Sequence, residues 1–326
     1  MEIFKRSWQE YCKVFGPIME PAYKNDIKSR MKLVEALNFI SKRQLNDAVN
    51  ALQEIREEGR CDADTAAWSF FIGFCFELAG RKDQMMHCYS ASASFGHRFY
   101  KPYLKMAIVE HSDADFEAAA QHYEEAVICI GELPEEQRDN NSLELAYSSL
   151  ISCLTMMHRY REAETLLKQA GVGSASFAAS GAVLYAALGN RQKANVQLAR
   201  LEIQDEERAE HTRALVEQIL SGEHAHFHPV PIEEEKIVEF WDWFASMEED
   251  LKLTDDESAA YEIADKLKDS FSFLERDARL RLCGSEKGRQ VILKDFYAIG
   301  LQQGYGRLLA ACPEKLKEYW LFSIEH

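Results

Sequence analysis

Nowhere in these 326 residues do about 18 apolar residues run together, so no membrane-spanning helix is expected. Nor does any Cys-x-x-Cys pair occur among the eight cysteines, which argues against a zinc ribbon or a disulfide framework. Cys12, Cys75, Cys88, Cys129 and Cys153 sit in apolar helical stretches and read as small core residues of a reducing compartment. Basic residues are in deficit: 38 Lys and Arg face 54 Asp and Glu, a net charge of -16. Such a chain repels a phosphate backbone or an anionic membrane, and no basic run interleaved with aromatics offsets the sign. Nucleic acid and membrane are therefore not expected partners. A P-loop, a dinucleotide fingerprint, a Gly-x-Ser-x-Gly elbow and a His-Glu-x-x-His helix are all missing. No catalytic residues and no cofactor are expected. The opening residues Met1 to Trp8 show no apolar core or cleavage site of a signal peptide, which suggests a cytoplasmic protein. Only seven prolines interrupt a composition that is 47% apolar, leaving room for long helices around a large core.

What is present is repetition. Gly73, Phe76, Gly80 and Tyr89 are followed by Ala107, Phe116, Ala119, Tyr123 and Ala126 at matching intervals. Earlier come Ala36, Ala48, Leu52 and Ile55; later come Tyr147, Leu154, Tyr160, Ala163, Leu167 and Ala170, then Ala182, Tyr185, Gly189, Ala194 and Leu198. Five units start near residues 29, 66, 100, 144 and 175, with spacings of 37, 34, 44 and 31. Small residues recur at unit positions 8, 20 and 27, and a turn residue at position 15. Met85 and Ser92 depart from the pattern in the second unit. This arrangement resembles the 34-residue tetratricopeptide repeat, a hairpin of two helices in which small residues let the helices touch. The resemblance covers about residues 29–222 and implies a mainly α fold: a stacked solenoid of hairpins that binds other proteins.

Flanking segments complete the plan. Ile3, Phe4, Trp8, Tyr11, Cys12 and Phe15 recur at helical spacing, and Gly16-Pro17 is expected to end that helix, giving an amino-terminal cap over residues 1–28. The insert Gly131 to Ser142 should be an exposed loop or an extended helix end. Glu206 to Leu220 predicts a closing helix, stopped by Ser221-Gly222. A proline-bounded linker is expected at 223–231. Beyond it, residues 232–326 predict a small α+β domain. Its helices should run from Ile232 to Leu251 and from Ser258 to Leu267. A hairpin should follow, with Phe271, Phe273, Leu280 and Leu282 on the first side and Gln290 to Leu293 on the second. A helix from Phe296 to Ala311 and a last strand from Tyr319 to Ile324 close the chain. That domain resembles no family of known activity.

In the repeat family the first helices line a concave groove. The resemblance places Phe70, Phe71, Phe74, Lys101, Leu104, Lys105, Ile108, Ser148, Ser149 and Ser152 on that surface. Members that clamp a terminal carboxylate use Lys, Asn and Arg at fixed positions, and Phe70, Phe74, Leu104 and Ser148 stand at several of them here, so a carboxylate clamp is not supported. Two readings of the phenylalanines are open: they anchor an apolar peptide or amphipathic helix whose acidic flank meets Lys101 and Lys105, or they pack against the next repeat or the amino-terminal helix. The expected function is a scaffold that takes a protein or peptide partner. The alternative is a ligand-sensing or enzymatic protein whose last domain holds a small molecule, with Asp295 beside Phe296-Tyr297 as one candidate spot. His224, His226 and His228 alternate, so an extended backbone would point three imidazoles to one side, a weak metal candidate set against a solvated linker. The acids Glu248, Glu249, Asp250, Asp255, Asp256 and Glu257 read as a solvated surface, their spacing being wrong for a calcium loop.

Overall fold

The computed structural model describes residues 2–96, 98–170, 173–229, 232–271, 279–285 and 288–326, without the side chains of 2–4. Among them the protein is mainly α, with fifteen α-helices and one three-stranded sheet near the end of the chain. It divides into two compact units, Met1–Cys153 and Leu154–His326.

Short turns join five couples of consecutive helices. They are α2 (Ile27–Ser41) and α3 (Leu45–Gln53), α4 (Asp62–Leu78) and α5 (Lys82–Phe95), α6 (Lys101–Ser112) and α7 (Phe116–Gly131), α8 (Asn140–Met156) and α9 (Tyr160–Gln169), and α10 (Ala175–Ala187) and α11 (Arg191–Gln204). One backbone device joins every pair. Arg43, Gly80, Ala114, His158 and Gly189 are left-handed, with φ of 57°, 69°, 61°, 58° and 70°, each two residues before the second helix. The N–H of the following residue then reaches back five residues, as in Gln44 to Phe39 O (2.9 Å), Arg81 to Phe76 O (2.9 Å) and Asn190 to Tyr185 O (2.8 Å). This is a Schellman end, which satisfies carbonyls the finishing helix would otherwise leave bare. All five fall at unit position 15 of the sequence repeat.

Helix contact then depends on the small residues. Ala36, Ala48, Ala107, Ala119, Ala126 and Ala163 have no exposed surface. A Cβ added at Gly73 would stand 3.0 Å from both Cys88 Cβ and the Tyr89 ring, so α4 and α5 approach at a point where only hydrogen fits. Ser92 keeps its polar group at such a contact because Oγ donates to Ala66 O at 2.8 Å.

In the first unit, α1 (Glu2–Met19) runs through Gly16-Pro17 instead of stopping there. Pro17 forfeits one N–H, but Ile18 and Met19 are completely buried one turn later, and that burial keeps the helix going. The helix lies against α2 and α4, with Trp8, Tyr11, Cys12 and Phe15 packed on the core. The insert after α7 is an exposed 3-10 turn at Glu135–Gln137. Arg138 ties it down by donating to Leu133 O (2.9 Å) and Gly131 O (2.8 Å), a cation at the negative end of α7.

In the second unit, α12 (Glu206–Ser221) packs on both α10 and α11, begins at an Asp205 cap (Arg208 N to Oδ1, 3.1 Å) and stops at Gly222 with φ 82°. The segment expected as a solvated linker is instead a turn built into this unit. His226 and Phe227 are buried. Ile299 N donates to His226 O (3.0 Å) and Gly300 N to Ala225 O (2.9 Å). Val230 and Pro231 lie outside the described residues.

Helices α13 (Glu234–Leu253) and α14 (Asp256–Ser270) follow, then β1 (Leu280–Gly284), β2 (Arg289–Lys294), α15 (Ile299–Ala310) and β3 (Trp320–Glu325). Strand order is β1-β2-β3: β1 and β2 are antiparallel, with Leu282 opposite Val291, while β2 and β3 are parallel, with Val291 opposite Phe322. The parallel pair needs a crossover, and α15 supplies it. Their core draws on Phe240, Trp241, Phe244, Phe271, Val291 and Trp320. Trp241 Nε1 donates to Leu308 O at 2.9 Å, so the indole is buried without loss. Phe273 and the turn residues Glu286 and Lys287 lie outside the described residues.

Candidate functional site

The groove expected along α4, α6 and α8 is occupied at its aromatic end. Phe70 and Phe71 are 2% and 0% exposed and so offer no surface to a guest. The Phe15 ring from α1 meets them edge-on, at centroid distances of 5.9 and 5.0 Å, and Phe99 closes the other side of Phe70 at 5.0 Å. Leu104 and Ser148 are buried as well. The rings therefore serve as core packing against the amino-terminal helix, which corrects their reading as open anchors.

What remains accessible is narrower. Phe74, Lys101, Lys105, Ser149 and Ser152 are half-buried, while Ile108 and Leu145 are 40% and 42% exposed. Both lysines are engaged within the first unit. Lys105 Nζ lies 2.7 Å from Glu77 Oε1 and 5.2 Å from the Phe74 ring centre, and Glu77 also accepts from the Tyr89 hydroxyl. Lys101 Nζ is 4.0 Å from Asp139 Oδ2 and 5.8 Å from the Phe15 ring centre. Burial, offset in part by Asp139, lowers the Lys101 pKa, since few groups replace the water its ammonium loses. In the expected acid-binding flank, Lys105 is thus closely matched by Glu77, while Lys101 is only loosely matched by Asp139. Ile108 on α6 and Leu145 on α8 are exposed apolar residues, and Ser149 and Ser152 lie one and two turns on from Leu145 along α8. The pairing of Glu77 with Lys105 carries no one-helix signature because the two lie 28 residues apart.

An open, charged depression of about 950 Å³ lies on the α2 flank, bordered by Asp26, Lys32, Glu35, Asn38, Glu54 and Arg56. Lys32 is matched there by Glu35 (2.9 Å) and Glu54 (2.7 Å), which makes it a solvated surface.

The three linker histidines do not converge. Their turn points His226 Nε2 at Met156 O (2.7 Å) and His228 Nε2 at Ile219 O (2.6 Å), while His224 Nδ1 accepts from His226 N at 3.3 Å. The expected one-sided trio required an extended backbone, and the turn removes it. Among the described residues no group of three or more His, Cys, Asp or Glu is placed to hold a metal ion. His226 instead stacks on His158 (5.4 Å), whose Nε2 meets Tyr297 O at 2.6 Å.

Tyr297 belongs to the most unusual polar spot of the second unit, the loop after β2. Asp295 has no exposed surface; its carboxylate accepts from Tyr297 N (2.9 Å) and lies 3.0 Å from His326 Nδ1. Phe296 and Tyr297 are consecutive non-glycine residues at φ 49° and 63°, a strained pair. Close to Asp295, the fully buried Tyr305 hydroxyl has no hydrogen-bond partner among the described residues. The loop sits at the carboxyl ends of the parallel strands β2 and β3, where open sheets commonly hold ligands. The sequence pointed to Asp295 but not to His326, which is 31 residues away. The six acids around the α13–α14 junction are surface residues, some of them matched: Lys252 lies 2.8 Å from Glu248, and Arg289 lies 3.2 Å from Asp256.

No family model matches the chain, and no curated protein matches it. A solved structure described as "Functional Characterization of Pseudomonas Aeruginosa pilF" is similar at 13% identity, covering 58% of this chain and 98% of that one. With a TM-score of 0.29, the likeness is too loose to argue from. The class rests on the chain's own geometry: a protein of helical hairpins repeated on one turn, ending in a small α+β region.

Proposed function

We propose that this chain is a protein-binding scaffold in which the inner face of the hairpins takes a segment of a partner protein. The observation that carries this reading is α1 itself: an amphipathic helix lies on α2 and α4 through aromatic contacts, an intramolecular example of what the face accepts. Further along, Ile108 and Leu145 leave apolar surface for a partner to cover. Residues 232–326 form a second domain in this reading, supported by a core that uses no residue before Ile232. Replacing Ile108 and Leu145 with Asp, both on the surface, should abolish retention of proteins held by the wild-type chain and leave its unfolding midpoint within error. Undiminished retention by the double variant would end the proposal for this face.

A second reading is favoured by one spot: the last domain binds a small molecule at the loop after β2. Buried Asp295 paired with exposed His326 gives the spot a fixed polar group, and the Tyr305 hydroxyl, without a partner among the described residues, is one a ligand could satisfy. A metabolite that raises the unfolding temperature of the wild-type chain but not of Asp295→Asn would support it. Equal shifts in both chains would exclude this loop.

A further inference from the structure

Gly16 lies inside α1 without a packing reason among the described residues, and Pro17 follows it. A Cβ on Gly16 would meet nothing within 4 Å, and its φ is not left-handed, so neither crowding nor a turn calls for glycine there. Pro17 has no N–H to give to the carbonyl four residues back, at Lys13. Together they weaken the helix at one point.

Anchorage differs across that point. On the carboxyl side Ile18, Met19, Ala22 and Tyr23 are no more than 3% exposed. Tyr23 is clamped further: its hydroxyl donates to Asp64 O (3.2 Å), its N–H donates to the Asp64 carboxylate, and its carbonyl accepts from Arg30 Nε (2.9 Å). On the amino side Trp8, Tyr11, Cys12 and Phe15 are only half-buried, and Val14 is 57% exposed. Ties there include Tyr11 OH to Asn38 Oδ1 at 3.0 Å, Arg30 over the Trp8 ring at 4.5 Å and the ring contacts of Phe15. A firmly held end, a weakened joint and a lightly held arm are the parts of a strap.

We infer that residues 5–16 are a replaceable occupant of a helix-docking slot floored by Phe70 and Phe71 and flanked by Lys101, and that the partner taking this slot is an amphipathic helix with an aromatic side chain where Phe15 now sits. The inference rests on the protein-binding reading and adds the partner class and its regulation. Phe15 forms T-shaped ring pairs with Phe70 and Phe71, and Lys101 lies over its ring. An incoming side chain has to supply an aromatic ring for the T-shaped pairs and for the cation, which Leu or Ile cannot. An acid beside that ring would also pair with Lys101, which Asp139 reaches only at 4.0 Å. Because α1 fills the slot at rest, apparent affinity is reduced by the fraction of molecules in which the strap is down.

The test uses a fluorescent peptide with the α1 sequence, Glu2 to Met19, titrated against the full chain and followed by anisotropy. Phe15→Ala in the chain loosens the strap and should bind the peptide about tenfold more tightly than wild type. Gly16→Ala with Pro17→Ala stiffens the helix and should bind it several-fold more weakly, at roughly the population shift expected for the restored helix. A peptide that itself carries Phe15→Ala should not bind. Tyr11→Ala, which removes the bond to Asn38, supplies the same comparison if Phe15→Ala melts early. Peptide binding that responds to Phe15→Ala but not to the joint variant would overturn the strap and leave the docking slot standing. Absence of binding to every variant, with amide exchange over residues 5–15 as slow as in α4, would make the slot plain core and overturn the whole inference. The protein-binding reading would then stand or fall on Ile108 and Leu145 alone.

Discussion

Exchanging residues between equivalent turns should move stability in opposite directions. Ala114 and Gly80 occupy the same place in two hairpins, at φ 61° and 69°, with the same five-residue backward hydrogen bond after them. A left-handed conformation costs an L-residue about 1–2 kcal/mol, whereas glycine pays about 0.5–1 kcal/mol for its freer unfolded chain. The difference predicts that Ala114→Gly stabilises the protein by roughly 0.5–1 kcal/mol and that Gly80→Ala destabilises it by a similar amount. Sterics do not confound the second variant, because a Cβ at Gly80 meets nothing within 4 Å. His158 supplies the control: its backbone is equally left-handed, but its ring meets Tyr297 O and Tyr160 OH, each at 2.6 Å. His158→Gly gives up both bonds, at about 1 kcal/mol each, and should come out destabilising despite the relieved backbone. Urea unfolding followed by circular dichroism, with equal m-values required, reads all three. If Ala114→Gly is neutral or harmful while Gly80→Ala is harmless, the shared turn does not bear the strain assigned to it.

Other expectations follow from packing and ionisation. Gly73→Val should cost about 1–3 kcal/mol by forcing α4 from Tyr89, and Gly73→Ala distinctly less because alanine favours the helix; a shared unfolding midpoint would contradict this. His226→Ala should cost about 2–4 kcal/mol through its lost packing and the unanswered Met156 carbonyl, and speed amide exchange at the start of α15; unchanged exchange there would show that the turn does not brace that helix. Burial pushes the Tyr23, Tyr89, Tyr100 and Tyr305 hydroxyls far above the ordinary phenol value and Tyr123 up to about 12. A folded value raised above the unfolded one, near 10, gives stability that is complete below about pH 10 and fades as pH climbs toward the folded values. Phenolate absorbance from these residues should therefore rise together with loss of helicity; full titration near pH 10 in a chain that keeps its helices would refute the assignment.

The repeat was legible because its requirements are local and periodic. Ala36, Gly73 and Ala107 mark where two helices touch, and position 15 marks where the backbone must turn back, whichever side chain is there. Arg43 and His158 show the limit of that signal, since neither looks like a turn residue and the geometry is the same. The seat of α1 was not legible. The spacing of Trp8, Tyr11 and Phe15 announces a helix with one buried side but not which surface receives it, so it read as an end cap, and Phe70 and Phe71 were left between groove anchors and packing against that helix. The linker histidines misled for a related reason: alternation implies a one-sided trio only if the chain is extended, and the carbonyls of Met156 and Ile219 favour a turn. Asp295 and His326 meet only when β2 and β3 lie parallel, a long-range pairing that no local pattern encodes.

The common turn also acts as a ruler for where this chain tolerates a change of length. One residue added within a hairpin would rotate the second helix by about 100° and swing a side chain such as Tyr89 away from the glycine it rests on. Extra residues at Glu135–Gln137, between hairpins and facing water, cost only loop closure, about 0.6 kcal/mol for each doubling. A reporter or affinity tag spliced into that turn should leave every helix contact in register, whereas the same graft beside Gly80 or Ala114 would unseat one.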